Sequence, residues 1–174
     1  AVWVCGNEKH LAEQGVTLTE AQKVAVERLY KEGKAVILAA SAGMVRGVVA
    51  LSDVLREDAA AIVEKLNGLD TKAVLLTGDE RNAAAYFAQR AGIQTVHAAL
   101  LPADKVGKIS EMEANGAHVC MIGDGVNDVL AMKEADCGIA MASGAQAASQ
   151  IAQLVLLDSD FSAIPSIVGE GRRV

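Results

Sequence analysis

Aromatic side chains are scarce in these 174 residues, with one Trp, two Tyr and two Phe, and the chain has no basic run to accompany them. A nucleic-acid binder needs a positive face and stacking rings, so a net charge of -6 sets that class aside. Long apolar runs are missing as well. The best candidate, "AVILAASAGMVRGVVAL", is broken by Ser41, Gly43 and Arg46, and falls short of the roughly 20 apolar residues a membrane-spanning helix needs. The opening "AVWVCGNEKH" is too short and polar for a signal peptide and reads as the middle of a strand, so the chain is expected to start inside a larger protein. Cysteine is also sparse. Cys5, Cys120 and Cys137 form no CxxC pair and have no histidine at ligand spacing, whereas structural zinc needs four close ligands. They are expected to be buried thiols in a reducing compartment. His10, His97 and His118 stand singly and are expected to be surface or structural residues.

What is present is aliphatic: 52% of residues are hydrophobic, mostly Ala, Val, Leu and Ile, and 22% are charged. Such a chain folds, and its mixture of strand-favouring Val and Ile with helix-favouring Ala and Leu predicts an α/β protein. The first third predicts a strand at "VWVC", a helix over 8–14, and a helix over 20–32 capped by Thr19 and stopped by Gly33. A β hairpin turning at Ala42 and Gly43 follows. Beyond Asp53 helices and strands alternate: helix 58–66, strand "AVLLTGD", helix 81–91, strand "TVHA", helix 103–115, strand "HVCMIGDG". Helix 128–135, strand "CGIAM", helix 145–152, strand "LVLL" and a helix from Phe161 complete the chain. This alternation predicts a doubly wound, mostly parallel sheet covered on both faces.

Ligands of a parallel sheet bind beyond the carboxyl ends of its strands. Three strand ends carry polar loops: Thr77-Gly78-Asp79, the "GDGVND" loop over 123–128, and Asp158. In "GDGVND" the glycines allow close backbone approach, Asp124 offers oxygen to a hard cation such as Mg²⁺, and Asn127 and Asp128 open the next helix, where Asp128 can cap the helix, orient a metal-bound water or hold a lysine. A bare Asp-Gly would be only a turn with a helix cap. Thr77 with the Gly78 and Asp79 amides suits a phosphate oxygen, and Lys105 can neutralise a phosphate or a carboxylate. Taken singly, these are a common turn and a solvated helix lysine.

In this order, "LLTGD", Pro102-x-Asp104-Lys105 and "GDGVND", followed by "ADCGIAM", resemble the motifs of the haloacid dehalogenase superfamily, and specifically the phosphorylation domain of P-type cation-transporting ATPases. "DVLR" (53–56) resembles the hinge returning from their nucleotide-binding domain, and "VCGNEKHLAEQG" is similar to the late part of that domain in the heavy-metal-transporting subclass. "FSAIPSIVGEGRRV" resembles the exit toward a membrane helix. The resemblance implies three segments: 1–51, the C-terminal part of a nucleotide-binding domain; 52–165, a phosphorylation domain; and 166–174, a stalk leading to a membrane helix. It implies a cytoplasmic domain of an integral membrane protein that uses ATP and Mg²⁺ and partners a transported cation.

By that resemblance Thr77 and Gly78 bind the transferred phosphoryl group, and Lys105 neutralises charge. Asp124 ligates Mg²⁺, Asn127 and Asp128 order the metal shell, and Asp79 stiffens the phosphate side. Glu80 stands where the family more often has Asn. The family's nucleophile, the aspartate of a DKTGT motif, does not occur in the sequence, so the isolated chain is expected not to phosphorylate itself. Two other readings remain open. One is a free-standing phosphatase using Asp158 or Asp160, whose motif order requires circular permutation. The other is a non-catalytic module that binds Mg²⁺ or phosphate.

Overall fold

The structure, a computed structural model, describes residues 2–173; Ala1 and Val174, the outer limits of the expected terminal segments, lie outside them. Strand β1 (Trp3–Gly6) leads into helix α1 (Glu8–Glu13), where the Asn7 side chain accepts from the His10 amide. Helix α2 (Glu20–Lys31) begins with a reciprocal cap: Gln22 N donates to Thr19 Oγ1 and Thr19 N donates to Gln22 Oε1. That arrangement satisfies two of the amides a helix start leaves free.

Strands β2 (Ala35–Ser41) and β3 (Met44–Leu51) form the expected hairpin, and the antiparallel order is β1-β2-β3. Ala42 and Gly43 both have positive φ, 52° and 74°, the backbone of a two-residue hairpin turn. Period-two alternation sends Val36, Leu38 and Ala40 inward against Leu11, Val16, Leu18 and Val26. The other face is open, with Ile37, Val49 and Leu51 exposed.

After an irregular connection come α3 (Ala59–Gly68), β4 (Val74–Leu76), α4 (Arg81–Ala91), β5 (Thr95–His97) and α5 (Pro102–Ala114). The series continues with β6 (Cys120–Gly123), α6 (Val129–Glu134), β7 (Cys137–Met141), α7 (Gln146–Ile151), β8 (Leu154–Leu156) and α8 (Ile164–Gly171). Strands β6, β7 and β8 form one parallel sheet in that order, and β4 and β5 form a second. The parallel α/β architecture is the one expected, but the sheet is divided, because β4 and β6 do not pair with each other. Both strands are also shorter than expected, because Thr77 and Asp124 already turn into the site loops. The helices predicted to start at Asp128 and Phe161 begin as short 3-10 turns and become α-helical at Val129 and Ile164.

The three-stranded sheet is covered on both faces. Met121 and Ala140 meet Ile109, Ala131, Met132 and Ala148 on one side. Ile139, Met141 and Leu156 meet Ile62, Leu66 and Ile164 on the other. Leu76 packs at the edge of the first cluster, which brings β4 alongside the β6 layer. Arg172, just past α8, donates to the carbonyls of Leu69 and Asp70 and to Thr71 Oγ1, folding α8 back onto the end of α3. Among the described residues no helix is long and apolar enough to cross a membrane.

Candidate functional site

At the end of β4 the chain folds on itself. Thr77 Oγ1 donates to Asp79 Oδ2 at 2.7 Å and accepts from the Asp79 amide at 3.1 Å. The loop is clamped by the segment after β5: Thr77 N donates to His97 O, Ala99 N to Asp79 O, and Leu100 N to Thr77 O. A Cβ on Gly78 would lie 3.3 Å from the Leu100 carbonyl, so glycine lets the two loops close up. Glu80 accepts from Asn82 N and is the N-cap of α4, which gives this residue a local task.

The clamp also sets the start of α5. Leu101 N donates to Asp104 Oδ2, and Pro102 occupies the first turn, where its missing amide costs nothing. One turn further Lys105 leaves the helix, and its Nζ meets Asp128 Oδ1 at 2.7 Å. The side chains are only 12% and 15% exposed, so Lys105 is not a solvated helix lysine. A largely desolvated pair with this geometry holds both charges in place and leaves Asp128 Oδ2 free of the lysine.

The "GDGVND" loop is built around Asp128. A Cβ on Gly123 would stand 2.7 Å from Asp128 Cβ, so any larger residue would push the carboxylate away. Asp128 N donates to Gly125 O, closing the turn, while Asp124 and Asn127 are exposed at its rim. The loop after β7, whose role is not apparent from sequence, braces Asp124: Ala145 N donates to Asp124 O at 2.6 Å, and Gly144 abuts the Asp124 backbone so closely that no side chain fits. The signal that could have revealed it is the glycine of "ASGA" directly after a buried strand.

The structure thus joins Lys105 to Asp128 and seats Thr77, Gly78 and Asp79 against the loop that opens the Lys105 helix. Asp124 and Asn127 flank Asp128 on the next loop. The donor set fits a hard divalent cation: Asp124 is a solvent-accessible carboxylate on a braced loop, and Mg²⁺ takes one or two carboxylates and completes its shell with water and phosphate oxygens. Among the described residues no group of three or more His, Cys, Asp or Glu side chains forms an all-protein metal cage.

Asp158 and Asp160 lie elsewhere, beyond β8, two strands from β6 in the sheet. Both Asp160 oxygens are engaged, Oδ1 by Ser162 N and Oδ2 by Ser162 Oγ. These bonds hold its pKa below the ordinary carboxylate value. Arg56 of "DVLR" reaches the same loop, donating to Ser159 O at 3.4 Å, while Asp53 lines a cleft of about 550 Å³ with Tyr30, Lys34, Asp79, Glu80 and Phe87. The cysteines depart from expectation. Cys5 and Cys120 are exposed and Cys137 is half-buried, because β1 is the edge of its sheet and β6 has no partner on one side.

Helices packed on parallel strands, with a clamped Thr-Gly-Asp turn, a fixed lysine and an accessible carboxylate in the loops at strand ends, define an α/β domain with polar loops where parallel sheets bind their ligands. Haloacid dehalogenase-like hydrolases match residues 2–136 as a family, with a second match over 106–167, and the chain belongs to that family. Human copper-transporting ATPase 2 is 36% identical over 155 residues, 89% of this chain and 11% of that protein. A copper-exporting P-type ATPase of Staphylococcus saprophyticus is 32% identical over 165 residues, 95% of this chain and 21% of its own. The chain therefore spans about a tenth to a fifth of these relatives. Among solved structures, a zinc-transporting PIB-type ATPase in its E2.Pi state superposes with a TM-score of 0.82 at 33% identity, over 98% of this chain and 27% of that one. The catalytic domain of the CPx-ATPase CopB-B gives 0.64 at 29% identity, over 76% and 52%.

Proposed function

We propose that this chain is the cytosolic catalytic segment of an ATP-driven heavy-metal cation pump, working by Mg²⁺-dependent phosphoryl transfer through an aspartyl-phosphate. The aspartate belongs to a DKTGT segment outside these residues. In this reading 1–51 closes a nucleotide-binding domain, 52–165 is the phosphorylation domain and 166–174 leads to a membrane helix. Its partners are ATP, the transported cation and the membrane segments of the same pump.

The observation that carries the proposal is the Lys105–Asp128 pair at 2.7 Å, which ties the lysine motif to the acidic loop 23 residues away. Phosphoryl transfer asks for positioning and charge neutralisation more than for covalent help. The Thr77 hydroxyl, once turned from Asp79, and the Gly78 amide hold the transferred group. Lys105 offsets its charge, and Asp79 keeps the Thr77 loop in shape. Asp124 and Asp128, with Asn127 ordering the loop, would hold Mg²⁺, which would supply positive charge to offset that of the phosphate. Among the described residues β4 and β6 each keep an unpaired edge, and such an edge is where a nucleophile strand supplied from outside would pair.

The test is incubation of the chain with Mg²⁺ and γ-labelled ATP. Alone it acquires no acid-stable, hydroxylamine-labile label. Joined to the DKTGT-bearing segments of a parent pump it is labelled, and Lys105→Ala or Asp124→Ala abolishes the labelling. Label on the isolated chain would sink the proposal, as would phosphatase activity lost in Asp158→Asn.

A further inference from the structure

Two of the three cysteines, 17 positions apart in sequence, meet across one rung of the parallel sheet: Cys120, first residue of β6, is the register partner of Cys137, first residue of β7. Register partners project from the same face, and neighbouring strands lie about 4.8 Å apart. We propose that Cys120 and Cys137 together bind one soft monovalent cation of the copper(I) or silver(I) class as a two-thiolate site.

The spacing suits a bridging ion. Thiolate sulfur sits about 2.3 Å from a bound d¹⁰ metal, so one ion between two sulfurs spans roughly 4.6 Å in line. The ligand set fixes the class. No third or fourth His, Cys, Asp or Glu joins the pair among the described residues, which disfavours four-coordinate zinc, and sulfur disfavours Mg²⁺ and Ca²⁺. Access comes from the unpaired edge of β6, where Cys120 is exposed. The pair lies at the opposite end of β6 from Asp124, roughly 13 Å along the strand at about 3.3 Å per residue, so it is separate from the phosphoryl-handling loops.

Binding releases the proton of each thiol to solvent and leaves a complex of charge -1 where two neutral thiols stood. Desolvation of the Cys120 sulfur, with the Cys137 thiol beside it, pushes the Cys120 pKa up to about 12.

The test is anaerobic competition of silver(I), and separately copper(I), against a chromophoric chelator, with far-UV circular dichroism to establish that each variant is folded. The wild-type chain and Cys5→Ser should each bind one equivalent. Cys120→Ser, a change on the exposed edge that leaves the core intact, should bind at least tenfold more weakly, as should Cys137→Ser. Binding by Cys120→Ser or Cys137→Ser at wild-type strength, or zinc(II) competing as well as silver(I), would overturn the proposal.

Discussion

Gly123 shows how one residue can be decided by a neighbour across a loop. Its φ is ordinary, and the reason for glycine is the Asp128 Cβ 2.7 Å from where its own Cβ would be. Gly123→Ala is expected to displace Asp128, lengthen its contact with Lys105 and cost about 1–3 kcal/mol in urea unfolding. Lys105→Met tests the pair from the other side. It leaves a largely desolvated carboxylate unpaired and should cost about 3 kcal/mol, whereas Lys105→Met with Asp128→Leu should recover most of that loss. Recovery would be absent if the two side chains contributed independently.

Cys120 supplies a pH dependence. Its folded pKa, about 12, lies above that of an unfolded cysteine, about 8.5, so the folded state holds the proton more tightly. The sign follows: this contribution is fully present below about pH 8.5 and is lost as pH rises toward about 12. Urea midpoints measured from pH 8 to pH 11 should fall more steeply for the wild-type chain than for Cys120→Ser. Asp160 works in the opposite direction. Its lowered pKa means that the cap it provides persists above the ordinary carboxylate range and is lost as pH falls through the lower value.

At the scale of elements, the β2–β3 hairpin carries a local misfit. Ala42 sits at φ 52°, a region that disfavours side chains, while Gly43 at 74° suits it. Ala42→Gly should therefore stabilise the chain by about 0.5–1 kcal/mol, read as a higher urea midpoint; a loss would mean that unfolded-state entropy outweighs the relieved backbone. Helix α2 shows the reverse relation, local sequence agreeing with structure, since Thr19 and Gln22 satisfy each other's backbone amides. Its end meets α4 through Gly33, where a Cβ would stand 2.7 Å from the Tyr86 ring.

In the whole molecule, open edges distinguish the strands. β7 is paired on both sides, whereas β4 and β6 each keep one free edge. Hydrogen exchange should therefore find the β7 amides among the slowest, with β4 faster and β6 intermediate. Equal protection of β4 and β7 would overturn this ranking.

Much of this was legible in the sequence. Helix caps and glycine stops are local signals, which is why the helices over 20–31 and 81–91 and the hairpin at 42–43 fall where expected. The order of Thr77, Lys105 and Asp124 was also legible, because strand ends, a helix start and a loop occur at fixed separations along the chain. Contacts between distant segments were legible only in outline: a lysine was one of three partners open to Asp128, but that it is Lys105 rather than a helix amide was not decided, and the bracing of Asp124 by Gly144 and Ala145 has no local signature. The exposure of Cys120 was misjudged for the same reason, since an apolar run indicates burial but not whether its strand finds partners on both sides. Sequence alone determined the α/β class and where the polar loops fall, because periodicity and residue type act locally. Tertiary structure alone decided which charges meet, which strand edges stay open and which thiols face each other, because each depends on register between segments far apart in the chain.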